Sequence, residues 1–140
     1  MSTELITIIV FGGIVLLFTL VTILSLCISN ACIKKARAKW YKALATNSDL
    51  YALVQLCNKQ WDTYDKLSDM ARNYQKQIDL LMSGIDYVPS YIADHRRAEA
   101  ENYKVLYYQT RAEADKWHYD YNHSIKTLDE YCKEHNLQRF

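Results

Sequence analysis

The chain has 140 residues, of which 17 are basic and 16 acidic, so its formal net charge at neutral pH is +1. This length allows one modest domain plus an anchor. A net charge near zero gives no sign of the basic face that nucleic-acid-binding proteins need, so we expect no nucleic-acid partner. The chain has 4 cysteines, of which Cys27 and Cys32 lie close together and Cys57 and Cys132 lie far apart, so nothing resembles the dense disulfide framework of a small secreted scaffold.

The first element is an apolar segment without a charged residue, at positions 5 to 33. Its 29 residues exceed the roughly 20 that are needed to cross a hydrocarbon core. A removable signal peptide has a basic start and a shorter apolar stretch, whereas Glu4 is the only charged side chain before this segment. We therefore predict a retained transmembrane helix over residues 5–33, preceded by a short N-terminus at residues 1–4. The lipid bilayer is the first expected partner.

A cluster of basic residues follows the apolar segment, with no acidic residue among them: Lys34, Lys35, Arg37, Lys39 and Lys42. Basic residues that flank a membrane helix are retained on the cytoplasmic side, and this bias sets the orientation. The sequence therefore predicts a single-pass protein of the plasma or inner membrane. Residues 1–4 would lie outside, and the domain from residue 34 to residue 140 would lie in the cytoplasm.

Beyond the anchor, Gly84 and Pro89 are the last glycine and the only proline, and together they predict a turn over residues 83–90. We expect one long helix within residues 34–82 and a second within residues 90–140. Each helix would be about 70 Å long. The predicted fold is all-α, with the transmembrane helix followed by a long antiparallel helical hairpin or coiled coil. A parallel oligomer of nearly continuous helices is the alternative geometry.

Each long helix carries a stripe at alternating spacings of three and four residues, the pattern of a coiled coil or bundle. The residues assigned to this seam are Leu50, Val54, Cys57, Trp61, Tyr64, Tyr103, Tyr107, Trp117, Tyr121 and Leu128. Reflection of the chain about the turn places Cys57 beside Trp117 and apart from Cys132. Because the stripes mix aromatic and small residues, one hairpin buries little apolar area and we expect a homo-oligomer.

Tyrosine is abundant, with 12 residues, and several tyrosines lie off both stripes. They either pack across neighbouring helices or form a recognition surface, to which exposed tyrosine is well suited. The turn concentrates large apolar side chains at one end of the hairpin: Ile85, Tyr87, Val88, Tyr91 and Ile92. We predict that this tip binds an unidentified protein partner.

Motifs for catalysis are not found in the sequence, which contains neither a Gly-x-Ser-x-Gly elbow nor a phosphate-binding glycine loop. Asp115 with His118, and Cys132 with His135, have the spacing of half a metal site. A zinc site needs three or four ligands, and each of these pairs supplies only two. Because neither a catalytic motif nor a complete metal site is found in the sequence, we expect no enzyme and no cofactor. A helical-bundle metal enzyme is the least favoured alternative.

An N-terminal anchor followed by a helical rod resembles the plan of LemA-type proteins and of membrane-tethered cell-division coiled coils. It also resembles the inner-membrane spanins of phage lysis systems. The resemblance is architectural and involves no shared residue motif. We expect a membrane-anchored scaffold or tether that holds a protein partner at the membrane. The alternative is a spanin-like, envelope-disrupting lysis component whose coiled coil lies outside the cytoplasm.

Overall fold

The computed structural model describes the backbone of residues 3–140 and the side chains from Val10 onward. Within this range the chain forms three α-helices: α1 (Thr3–Thr46), α2 (Ser48–Met82) and α3 (Ser90–Glu134). A short 3₁₀ turn, Ile85–Tyr87, lies between α2 and α3. The described residues contain no strand, so the predicted all-α class is confirmed. Residues 1 and 2 of the predicted short N-terminus lie outside the described residues.

Helix α1 contains the predicted transmembrane segment. From Val10 onward this helix is long and apolar enough to cross a membrane, and its most apolar stretch has a mean hydropathy of 2.6. None of that stretch is buried within the molecule. Leu, Ile, Val and Phe are therefore exposed on all sides of the helix, which is typical of a membrane span and not of an amphipathic surface helix.

Helix α1 continues beyond the apolar segment, through the basic cluster, and ends at Thr46. The prediction of one helix over residues 34–82 is therefore wrong, because the helix is interrupted at Asn47. This residue has extended backbone angles, and its Oδ1 accepts hydrogen bonds from the amides of Asp49 and Leu50, both at 3.0 Å. A side chain that satisfies the first free amides in this way starts a new helix.

Helices α2 and α3 pack against each other as an antiparallel hairpin, which confirms the predicted architecture. The two arms are unequal, with 35 residues in α2 and 45 in α3, so the expectation of two arms of similar length is wrong. At 1.5 Å per residue, α2 is about 52 Å long and α3 about 68 Å. Sustained coiled-coil packing stays a prediction.

The turn between the arms contains Gly84 and Pro89. Gly84 follows the end of α2 in the left-handed conformation, with a φ of 64°, which glycine adopts without steric cost. Pro89 immediately precedes the first residue of α3. Arg96 Nη1 donates a hydrogen bond to the carbonyl oxygen of Ser83 at 3.5 Å. The first turns of α3 therefore extend past the end of α2.

This overhang sets the pairing of the two arms. The rings of Trp61 and Tyr121 lie 5.1 Å apart, and Cys57 belongs to the same buried cluster as Leu128. The predicted proximity of Cys57 to Trp117 is therefore wrong. The prediction assumed that the two arms pair symmetrically about the middle of the turn. Because the first turns of α3 extend beyond α2, each residue of α2 pairs with a residue farther along α3 than predicted.

Alanines line the contact between the arms midway along the hairpin. Ala71, Ala100 and Ala114 are each at most 1% exposed. Small side chains allow the two helices to approach closely, and the half-buried rings of Tyr74 and Tyr103 lie 6.1 Å apart beside them. The contact is close, but it buries less apolar area than a leucine seam would.

Candidate functional site at the base and tip of the hairpin

At the base of the hairpin, the end of α1 meets the start of α2, the end of α3 and the C-terminal tail. The buried cluster there consists of Trp40, Leu50, Cys57, Leu128 and Cys132. Trp40 is only 2% exposed, although it follows Ile33, the last residue of the apolar segment, by just seven positions. The cluster therefore fixes the end of α1 to the hairpin.

Polar contacts between α1 and the C-terminal tail add to this junction. Lys39 Nζ donates hydrogen bonds to the carbonyl oxygens of Asn136 at 2.7 Å and His135 at 3.5 Å. These carbonyls follow α3, where the helix dipole favours a cation. The Arg37 guanidinium lies 5.4 Å from the centre of the Phe140 ring, within cation–π range. The other predicted topology residues, which are all exposed, are Lys34, Lys35 and Lys42.

A side-chain hydrogen bond joins the break between α1 and α2 to α3. Asn47 Nδ2 donates to Tyr131 Oη at 2.6 Å, while Asn47 Oδ1 caps α2. The Tyr131 ring stacks on His135, with ring centres 4.1 Å apart. This role of Asn47 was not predicted from the sequence. The available signal was an asparagine followed by serine and aspartate, a common helix start.

A cleft of about 510 Å³ opens beside the buried cluster. Aromatic and charged side chains line it, among them Trp40, Trp61, Tyr121, Arg139 and Phe140. Trp61 is 45% exposed, so it lies at the edge of the contact between the arms and not inside it. The cleft is therefore open and amphipathic.

Cys57 and Cys132 are free thiols that belong to the same buried cluster, so the prediction that they lie apart is wrong. Burial raises the pKa of both thiols, and the nearby Arg139 offsets this effect only in part. Both groups are therefore protonated at neutral pH, and a protonated thiol is a poor nucleophile. In this state they pack as small apolar side chains.

The histidines of the two predicted half-sites contact tyrosines. His118 stacks on Tyr64 with ring centres 4.7 Å apart, and His135 Nδ1 lies 3.0 Å from the carbonyl oxygen of Tyr131. Within the part of the chain that the structure describes, no three His, Cys, Asp or Glu residues come together in a group that could hold a metal ion.

The predicted partner-binding tip lies at the end of the hairpin opposite the base. Tyr87 is 93% exposed and Tyr91 is 72% exposed. Ile85, Val88 and Ile92 are half-buried, and the 3₁₀ turn rests on the start of α3. The tip therefore presents two tyrosine rings on a folded turn.

The residues assigned to the seam differ in burial. Leu50, Cys57 and Leu128 are buried. The half-buried members are Val54, Tyr64, Tyr103, Tyr107, Trp117 and Tyr121. The tyrosines outside the stripes and the tip are all exposed: Tyr41, Tyr51, Tyr108 and Tyr119. These four tyrosines lie on the surface of the chain, where they are available for contacts with other molecules.

Comparisons with protein-family models, curated proteins and solved structures find no match to this chain. Its function therefore has to be inferred from the geometry and surface chemistry of the anchor, the base and the tip.

Proposed function

We propose that this chain is a single-pass membrane protein whose helical hairpin acts as a scaffold or tether, oligomerises, and holds a protein partner at the membrane. The observation that carries this proposal is the unbroken α1, which leads from an exposed apolar segment into the buried base of the hairpin. An anchor that is fixed to a helical rod keeps a binding surface at a set distance from a bilayer.

The tip is the proposed partner surface. Tyr87 and Tyr91 expose rigid rings, which provide large contact areas and a hydroxyl group for hydrogen bonding. Ile85, Val88 and Ile92, the other residues of the predicted tip, are half-buried. With an α3 of about 68 Å, such a tip would stand well clear of the lipid headgroups if the hairpin projects from the membrane.

The hairpin lies in the cytoplasm in this proposal. The support is the basic cluster at the end of the apolar segment, opposite the acidic Glu4. Lys39 and Arg37 also contact the C-terminal tail, but those contacts leave their positive charge in place. Their packing role is therefore compatible with a role in setting orientation.

The location of the C-terminus tests this orientation. Two reporters can be fused after Phe140 in a bacterial inner membrane, one active only in the cytoplasm and one only outside it. We expect cytoplasmic signal from chain that is recovered with the membrane fraction. Signal from outside would contradict the proposed orientation and favour the spanin-like alternative. Recovery in the soluble fraction would contradict the anchor itself.

A photo-crosslinking amino acid at Tyr87 tests the tip. The matched control is Asp65, an exposed position midway along α2. In membranes from the native host, we expect a larger adduct of defined mass from position 87 and none of that mass from position 65. The adduct should weaken in the Tyr91→Ala variant. Equal yields at positions 65 and 87 would contradict a partner surface at the tip.

A further inference from the structure

The basic cluster at the end of the apolar segment contains two kinds of cation. Arg37 and Lys39 contact the C-terminal tail. The other three are exposed, and no ion pair or hydrogen bond among the described residues involves their ammonium groups. These unpaired lysines are Lys34, Lys35 and Lys42. No acidic residue occurs at positions 5 to 48, so no neighbour in the sequence neutralises their charge.

The unpaired lysines lie on the side of α1 away from the hairpin. Trp40 is 2% exposed and belongs to the buried cluster, so it marks the side of α1 that packs on the base. At 3.6 residues per turn, the three lysines lie about 120–160° around the helix from Trp40. The hairpin covers one side of α1, and lipid headgroups can therefore approach it from the side that carries these lysines.

The depth of the unpaired lysines matches that of lipid headgroups. With Ile33 as the last residue in the hydrocarbon core, Lys34 and Lys35 lie within about 3 Å of it along the helix. The headgroup layer is about 5–8 Å thick, so both lie inside it. Lys42 is about 13 Å from Ile33 along the helix. Its side chain leans toward the N-terminus of α1, and hence toward the bilayer.

The partner that fits this arrangement is negatively charged and continuous with the anchor. We infer that the unpaired lysines bind anionic phospholipid headgroups around the C-terminal end of the apolar segment. Each lysine near an anionic membrane surface strengthens the association about fivefold, whereas a headgroup without net charge gives no such gain. The inference deepens the proposed function, since it names the lipid class that the anchor selects and rests on that anchor.

The other end of the apolar segment lacks such a site. Glu4 is the only charged side chain before the segment, and its carboxylate repels anionic headgroups. The selection is therefore confined to one leaflet. Anionic lipids of a plasma membrane are concentrated in the cytoplasmic leaflet. Binding of these lipids and the proposed cytoplasmic position of the hairpin therefore favour the same orientation.

Spin-labelled lipids test the selection. The purified full chain is reconstituted in phosphatidylcholine vesicles that contain a trace of spin-labelled phosphatidylglycerol or spin-labelled phosphatidylcholine. Electron paramagnetic resonance measures the fraction of each label whose motion the protein restricts. We expect several-fold stronger association of phosphatidylglycerol at about 0.01 M salt, and a smaller difference at about 1 M salt, where charges are screened. Equal association of the two labels at low salt would overturn the inference.

Two triple variants identify the cations that are responsible. The test variant removes the unpaired lysines: Lys34→Gln/Lys35→Gln/Lys42→Gln. The control removes the same charge from three exposed lysines of α2: Lys59→Gln/Lys66→Gln/Lys76→Gln. The test variant should lose most of the preference for phosphatidylglycerol, and the control should keep it, with unchanged helix content in both. A preference that survives in the test variant, or equal losses in the two variants, would contradict the assignment.

Single variants test the depth of the contact. Lys34→Gln should weaken the preference more than Lys42→Gln, because Lys34 lies inside the headgroup layer and Lys42 lies beyond it. The reverse order would contradict binding at the depth of the headgroups and favour an acidic soluble partner.

Failure of the lipid contact can be distinguished from failure of the proposed function. A chain that restricts both labels equally has entered the bilayer, so this result contradicts the lipid selection and leaves the anchor intact. A chain that restricts neither label has not entered the bilayer. That result contradicts the anchor, and with it the inference.

Discussion

Asn47 connects three parts of the molecule with one short side chain. Its Oδ1 accepts hydrogen bonds from the amides of Asp49 and Leu50 and so begins α2, and its Nδ2 donates to Tyr131 Oη near the end of α3. The same residue therefore interrupts the helix that leaves the apolar segment and ties the start of one arm to the end of the other.

Asn47→Ala should lower the free energy of unfolding by about 1–3 kcal/mol, because it removes a helix cap and a side-chain hydrogen bond. Tyr131→Phe removes only the hydrogen bond. Asn47→Ala should therefore cost less in the Tyr131→Phe background than in the wild type. Denaturant unfolding of the four proteins, followed by circular dichroism, measures both costs. Equal costs would show that the bond between the two side chains contributes nothing.

Lys39 binds the carbonyl oxygens that follow α3, and its contribution can be isolated. Lys39→Met should lower the free energy of unfolding by roughly 0.3–1 kcal/mol, the range for an exposed cation at a helix C-terminus. Lys35→Met is the matched control, since Lys35 is exposed and bonds to no other side chain or carbonyl in residues 10–140. If both variants unfold at the same denaturant concentration, Lys39 acts only as a surface charge.

The buried thiols should make stability depend on alkaline pH. Burial raises the pKa of Cys57 and Cys132 above the ordinary value of 9.0, so the unfolded chain loses these protons at a lower pH than the folded chain. Their stabilising contribution is complete below the unfolded-state pKa and is lost as pH rises through the folded-state pKa. The stability advantage of the wild type over a Cys57→Ala/Cys132→Ala double variant should shrink as the pH rises through and beyond the ordinary thiol pKa of 9.0. A constant difference would contradict the raised pKa.

At the scale of the helices, the contact between α2 and α3 depends on small residues. Ala114→Leu should lower the free energy of unfolding by about 1–3 kcal/mol, because Ala114 is 0% exposed and the added atoms have no space. Ala52→Leu, at an exposed position of α2, should change stability by no more than about 0.5 kcal/mol. Thermal unfolding of the two variants makes the comparison. Similar melting temperatures would show that the arms can move apart at little cost.

Much of the helical organisation is readable from the sequence because its signals are local. An uncharged apolar segment gives the apolar part of α1, and Gly84 with Pro89 gives the turn. The pairing of the arms is not local. It depends on how far α3 extends past Ser83, which is decided by packing around the 3₁₀ turn. The helix start at Asn47 had a local signal, the asparagine followed by serine and aspartate. The stripe at spacings of three and four residues continues through this position and obscured that signal.

The candidate site divides in the same way. The tip could be predicted, because its apolar residues are consecutive and adjoin the turn. The base could not be predicted, since its contacts join distant segments. Lys39 and Asn136, for example, are separated by 97 positions, and Arg37 meets the Phe140 ring at the other end of the chain. Such contacts become apparent only once the register of the hairpin is fixed.

At the scale of the whole molecule, the hairpin is a rod whose height should be adjustable. Removal of residues 66–72 from α2 together with residues 110–116 from α3 deletes opposite segments, given the pairing of Trp61 with Tyr121. The shortened chain should fold, with the distance between the base and the tip reduced by about 10 Å. Pulsed electron paramagnetic resonance between spin labels at Lys42 and Asp86 measures this distance. Deletion of residues 110–116 alone should destabilise the hairpin, and a fully stable product would contradict the rod description.

If α1 crosses a bilayer as proposed, its direct passage into the hairpin base would connect the bilayer to the tip. Trp40 and Lys39 fix the end of α1 to the hairpin, so a change in the tilt of α1 would rotate the whole hairpin. For an arm of about 68 Å, a tilt change of about 10° moves the tip by roughly 12 Å. Membrane helices adjust their tilt to the thickness of the surrounding lipid. The position of Tyr87 above the membrane would then vary with the local thickness of the bilayer.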